Sequence, residues 1–195
     1  MLALRLLLSM GIQMIIGTTA FAGTWNIDQL MQALASAPPK RASFTEKKTF
    51  ALLDRPVESS GELSYRPPDR LEKRTIKPKP ETMVAEGGTL TLSRPPHTFT
   101  LQMQEQPELA GLIDSIRGTL TGNRKVLERS FRLQLEGPAE RWRLTLFPTD
   151  AKMAANVHLI RIDGVQADVR TVDVIQTDGD RSTMTITRRD DAPTP

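Results

Sequence analysis

The sequence has no cysteine, two histidines, and aromatic side chains at only 5% of its 195 residues. Without cysteine there is no disulfide staple, so the domain must be held together by a packed core. His97 and His158 stand far apart, and neither has a CxxC, HxxH or HExxH motif beside it. A metal centre needs more ligands of this kind, so no metal or cofactor is expected. The triplet Asp178-Gly179-Asp180 lacks the downstream acid of a calcium loop and reads as a hairpin turn. A Gly-x-Ser-x-Gly elbow and a phosphate loop are also missing, and no pair of carboxylates ranks above another. An enzyme reading is left without a named residue, and the chain is read as a non-enzyme. With 26 Lys and Arg against 23 Asp and Glu, and a formal net charge of +3, the balance is too even to point to nucleic acid.

Long apolar runs are scarce too. The longest, from Leu6 to Ile16, follows Arg5 and precedes Ala20-Phe21-Ala22, the small-x-small pattern of a secretory cleavage site. Residues 1–22 are read as a signal peptide cleaved after Ala22. A membrane anchor is the alternative, but the run falls short of the roughly 20 apolar residues that span a bilayer. With no cysteine at the cleavage site to carry a lipid, the mature product is expected to be soluble, and a bacterial periplasm is the natural compartment.

The rest reads as one domain, residues 23–189, with a flexible tail at 190–195. A helix over 24–37 is predicted from Ile27, Leu30, Met31 and Leu34, with Asn26 and Gln29 as a capping box and Pro38-Pro39 as its stop. The apolar period then becomes two. Short one-sided strands follow one another, separated by "LDRP", "RPPD", Gly87-Gly88 and "RPPH". A second helix is predicted over 107–119, where Leu109, Leu112, Ile113, Ile116 and Leu120 form a stripe, and residues 123–129 are ambiguous. Strands resume from Phe131, with an Asp163-Gly164 hairpin signal and a bulge expected near Arg170-Thr171. About ten antiparallel strands rarely stay flat. The predicted fold is mainly β with helices (α+β): a strongly curved antiparallel sheet forming a half-open barrel, apolar inside and capped by two helices, whose concave side is a natural ligand cavity. The basic stretch "RLEKRTIKPKP", with Arg70, Lys73, Arg74, Lys77 and Lys79, reads as a solvated strand face or, alternatively, as a docking patch for an anionic partner.

Three segments carry a resemblance to a known family. "ASFTEKK" at 42–48, "GELSYRPPDRLEKR" at 61–74 and "EGGTLTL" at 86–92 resemble, in order and spacing, the LolA-like outer-membrane lipoprotein carriers. Those proteins open with a helix, followed by A-S-F-x-Q, G-x-L-x-x-[RK]-P-x-x-[LF] and D-G-x-x-L. The match covers residues 24 to about 103 closely and the remainder through the helix at 107–119 and the strand count. The resemblance implies an incomplete barrel closed by helices, whose cavity shields the acyl chains of a lipoprotein between an inner-membrane exporter and an outer-membrane acceptor. The chain is expected to act as a monomer, with no nucleic-acid partner. The resemblance also implicates Phe44, Leu63, Tyr65, Leu90, Leu92, Phe99 and Leu101 of the sheet, and Leu112, Ile113 and Ile116 of the lid, as the lipid-binding cavity. By motif position Arg66 looks like the family's strand arginine, which bonds to lid-helix carbonyls as a gate; otherwise it is a polar strand end before Pro67. Two departures are notable. Glu46 stands where the family has glutamine, and Leu90-Thr91-Leu92-Ser93 stands where aromatics are usual. With few aromatics and 8 methionines, the cavity is expected to be lined by aliphatic and thioether groups, which adapt to irregular apolar ligands. The cargo would be a lipoprotein or another acylated molecule, such as a glycolipid or an aryl-polyene lipid. The alternative is a sensor or interaction module on the same scaffold that binds a partner protein.

Overall fold

Period-two alternation dominates the chain, and the secondary structure follows it. A computed structural model describes residues 25–36 and 41–189; the expected signal peptide, the Pro38-Pro39 stop and the 190–195 tail lie outside these. The strands are β1 (Arg41–Thr49), β2 (Val57–Arg66), β3 (Arg70–Lys77), β4 (Glu81–Glu86), β5 (Thr89–Arg94), β6 (His97–Gln102), β7 (Phe131–Glu136), β8 (Trp142–Pro148), β9 (Val157–Val165), β10 (Asp168–Gln176) and β11 (Arg181–Arg188). The helices are α1 (Ile27–Ser36), α2 (Pro107–Leu120), α3 (Arg124–Glu128) and α4 (Ala151–Asn156). Asn26 and Gln29 form the expected reciprocal cap of α1: the Gln29 amide donates to Asn26 Oδ1 at 3.0 Å and the Asn26 amide to Gln29 Oε1 at 3.1 Å.

The eleven described strands form one antiparallel sheet in the order β6-β5-β4-β3-β2-β1-β11-β10-β9-β8-β7. Every neighbouring pair is consecutive in sequence except β1 with β11, so the first and last strands meet in the middle. β6 and β7 are edges that do not pair with each other, which leaves the barrel open. The bulge predicted near Arg170-Thr171 falls between Val169 and Thr171. The Asp163-Gly164 hairpin reading is corrected. Both residues lie inside β9, and the turn comes at Gln166, which takes φ 51°. Gly164 is needed instead for close approach: a Cβ there would sit 2.2 Å from Cζ2 of Trp142.

Two packed clusters divide the concave side. The larger gathers Leu30, Met31 and Leu34 of α1, Leu127 of α3 and Met153 of α4 onto Phe131, Trp142, Leu144, Leu146, Ile160 and Ile162 of β7–β9. The smaller joins Ala85 and Leu90 of β4 and β5 to Met103 and to Ile113 of α2. Leu112 of α2 packs on the first cluster and Ile113 on the second, so a single helix touches both halves and the sheet must curl around it. The strands between the two clusters contribute concave residues only at their margins, Val169, Val172 and Val174 of β10 to the larger and Leu71 of β3 to the smaller. Leu63, Met184 and Ile186 are only half-buried.

The convex side is polar. Thr45, Thr185 and Thr171 lie in one cross-strand row, and Asp173 is buried there by Thr183 Oγ1 at 2.5 Å and Arg181 Nη2 at 2.8 Å. The basic stretch largely resolves into ion pairs. Arg70 bonds Glu86 at 2.6 Å and Glu72 at 3.1 Å, Arg74 bonds Glu62, and Lys73 turns inward to Glu46. Carboxylates on β1 to β4 thus offset much of the repulsion along β3.

Candidate functional site

A cavity of about 640 Å³ opens where the middle strands lack a packed roof. Its sheet wall includes Ala42 of β1, Leu63 and Tyr65 of β2, Leu71 of β3, Met83 of β4, Val172 and Val174 of β10, and Met184 and Ile186 of β11. Leu109, Leu112, Ile113 and Ile116 of α2 form the facing wall, and Leu34 of α1 closes one side. The parity of each strand explains the set: residues directly opposite in register share a face, as in the row Leu63–Ala42–Arg188. The apolar part of the lining is aliphatic and thioether, with Tyr65 its one aromatic among the described residues, as the scarcity of aromatics suggested, and a polar minority that includes Glu46, Lys48, Lys73 and Ser182 shares the wall.

Of the residues that the sequence pointed to, Leu63, Tyr65, Leu90, Leu112, Ile113 and Ile116 line this cavity. Phe44 does not. It has the inward parity but is 2% exposed, directly opposite Gly61, with Lys73 Nζ 4.9 Å from its ring centre. The missing side chain of glycine leaves room beside the ring, and Lys73 roofs it. Leu92, Phe99 and Leu101 also fall outside the cavity. They lie toward the β6 edge, beyond the reach of α2, and Phe99 remains 56% and Leu101 44% exposed. β6 is exposed throughout.

The gate assigned to Arg66 is corrected as well. Tyr65 points inward, so the next residue points outward, and Arg66 is exposed with no side-chain bond to α2 among the described residues. The helix supplies the clasp in the opposite sense. Arg117 of α2, 18% exposed, donates from Nη2 to the Asp69 carbonyl in the β2–β3 turn at 2.8 Å. Tyr65 Oη donates to the Pro68 carbonyl at 2.8 Å, and Asp69 Oδ2 accepts from the Gly87 amide at 2.9 Å, so one turn is held from three sides. Burial raises the Tyr65 phenol above its ordinary value, with the Arg117 charge opposing this and Asp69 adding to it. The phenol therefore remains a donor at neutral pH. In the sequence, Arg117 beside Ile116 at the rim of the apolar stripe was the available signal.

The residue that sequence reasoning left unexplained is Glu46. Its parity turns it inward, and it is 7% exposed among the residues that line the cavity. It accepts from Lys73 Nζ at 2.5 Å, Ser182 Oγ at 2.7 Å and Ser59 Oγ at 3.3 Å, with Lys48 Nζ at 3.8 Å. Burial pushes its pKa up. The bond and charge of Lys73, the Ser182 bond and the Lys48 charge outweigh that push and hold the carboxyl below its ordinary value. A lowered native pKa contributes stability that is present above the unfolded value and lost as pH falls through the native one. The stability advantage of the wild type over Glu46→Gln, measured by urea unfolding, is therefore expected to shrink as pH drops below about 4.5. An advantage that stays constant down to pH 3 would contradict this.

Among the described residues there is no group of three or more His, Cys, Asp or Glu side chains that could hold a metal, and no helix long and apolar enough to cross a membrane. The family profile described as "outer membrane lipoprotein carrier protein LolA-like" matches residues 19–192. No curated protein matches the chain. Solved structures with a similar course include a LolA superfamily protein from Nitrosomonas europaea, at 9% identity, TM-score 0.44, covering 88% of this chain and 96% of that one. A domain described as an outer-membrane lipoprotein-sorting protein from Vibrio parahaemolyticus aligns at 10% identity and TM-score 0.47, over 87% and 92% of the two chains. A chain of the Pseudomonas aeruginosa MucA/MucB complex aligns at 12% identity and TM-score 0.43, over 87% of this chain and 57% of that one. A curved, unclosed sheet around a lid helix, with the family profile matching from residue 19 to 192, places this chain in the LolA-like outer-membrane lipoprotein carrier family.

Proposed function

We propose that this protein is an exported carrier that shields acyl chains in the cavity between the central strands and α2. It would move a lipoprotein, or another acylated molecule, through the periplasm from an inner-membrane exporter toward an outer-membrane acceptor, acting as a monomer without chemistry of its own. The observation that carries this reading is the apolar cavity of about 640 Å³, room for some twenty groups of about 30 Å³ each, roughly the share of one water molecule. Each methylene removed from water contributes about 0.8 kcal/mol, so a dozen of them give tight binding by area alone. Release then needs a competitor for the same surface, and a lid that settles on its own sheet supplies one.

The test is direct. A delipidated sample is expected to take up a fluorescent fatty acid, and protein extracted gently from the periplasm to carry lipid mass in native mass spectrometry. Failure of both would sink the carrier reading. Arg117→Ala should weaken the closed lid and slow release of the bound fatty acid by up to about ten-fold, the scale of one charged hydrogen bond. Unchanged release would remove Arg117 from the gate. A second reading, a module that binds a partner protein, draws on β6, an unpaired edge with Phe99 and Leu101 exposed. A stable complex with a periplasmic domain that forms regardless of lipid would favour it.

A further inference from the structure

An acyl-chain cavity gains nothing from a buried carboxylate and two ammonium groups, yet Glu46, Lys73, Lys48 and Ser182 all lie on its lining. The donor count is unequal. A carboxylate offers about four lone-pair positions, and Glu46 already accepts from three donors, Lys73, Ser182 and Ser59, with the Lys48 ammonium nearby at 3.8 Å. Its own capacity is nearly used. Each ammonium carries three N–H groups, and of these Lys73 spends one on Glu46, while Lys48 reaches the same carboxylate only at 3.8 Å. Part of the Lys73 ammonium is turned to the Phe44 ring at 4.9 Å, and the remaining donors, chiefly those of Lys48, with one surplus positive charge belong to the cavity lining. The remaining charged residues on the lining are otherwise engaged, Arg188 with Asp168 at 3.1 Å and Glu72 with Arg70 at 3.1 Å. Lys48 is 46% exposed and Lys73 22%, so the cluster runs from solvent into the apolar wall.

We propose that this cluster is a headgroup site and that the ligand is an amphiphile whose acyl chain ends in an anion, a carboxylate or a phosphate. Lys48 and Lys73 take the anion. Glu46 touches no ligand and acts as a positioning residue, turning both ammonium groups toward the cavity. The chain lies against Leu63, Leu71 and Met83, under Ile113. This assignment rests on the acyl-chain reading of the cavity and adds the polar end of the ligand to it. It also accounts for the charge at position 46, since a glutamine there would hold neither lysine by charge.

The experiment uses the delipidated full chain loaded with a neutral fluorescent probe, N-phenyl-1-naphthylamine, and measures displacement at pH 7.4 below micelle-forming concentrations. Hexadecanoate and hexadecyl phosphate are each expected to displace the probe about ten-fold more tightly than hexadecan-1-ol, with the preference weakening in high salt. Lys48→Gln, at a half-exposed position, and the charge-free double variant Glu46→Gln with Lys73→Gln should both bring the anions close to the alcohol. A preference for only one of the two anions would identify the headgroup while keeping the site. Equal displacement by alcohol and anions, or an anion preference that survives both variants, overturns the headgroup site and leaves the carrier reading intact. No uptake of probe and no displacement by any of the three would overturn both, which separates the two failures.

Discussion

Alanine in place of Trp142 is expected to remove about 3–5 kcal/mol of folding stability, the range for truncating a fully buried large aromatic. The indole is 1% exposed within the larger cluster and does more than fill space. Its Nε1 donates to the Gln166 carbonyl at 2.9 Å, and the Gln166 amide donates to the Ala139 carbonyl at 2.6 Å. One side chain thus ties the β9–β10 turn, with its left-handed Gln166, to the β7–β8 turn. Removing it opens a void and leaves an acceptor without its partner. Single domains have only about 5–15 kcal/mol in total, so urea unfolding should show a much lower midpoint or no cooperative transition. A loss under about 1 kcal/mol would mean that this half of the sheet is not the anchor of the fold.

Met184→Trp is expected to do the reverse: to reduce fatty-acid uptake by more than ten-fold while hardly moving the unfolding midpoint. Met184 lies on β11 between Glu46 and Val172, half-buried and facing the cavity. Overpacking a filled core costs about 1–3 kcal/mol because neighbours must shift. At this position the added rings enter open space and occupy the volume a chain would take. A fluorescence titration checks the first part and urea unfolding the second. Normal uptake by the tryptophan variant would mean that ligand binds elsewhere.

These two substitutions mark what alternation in the sequence could and could not reveal. The strand phases were legible, and with them the capping box of α1, the stripe of α2 and the bulge in β10, because each depends on residues close in sequence. Which inward residues are core and which are cavity was not. Phe44 and Leu63 share the inward face, but Gly61 stands opposite one and lets it sink, whereas the other stays at the void. Leu92, Phe99 and Leu101 are inward by phase and still miss the cavity, because α2 spans only part of a curved sheet. Arg66 was misplaced through its motif, although simple parity with Tyr65 already turned it outward. Lys73 was hidden inside a charged run, where only its phase with Leu71 distinguished it from Arg70 and Arg74.

The division of the concave side into two packed clusters with a void between them also bears on how such a protein can change over generations. In an ordinary core, enlarging a pocket by one leucine-to-alanine step sacrifices stability, because every atom removed leaves a hole that was previously filled. Here some of the residues that bound the void, such as Leu63, Met184 and Ile186, belong to neither packed cluster and already border empty space. Selection on cargo size can therefore act on the cavity walls one substitution at a time, without lineages passing through forms that fail to fold.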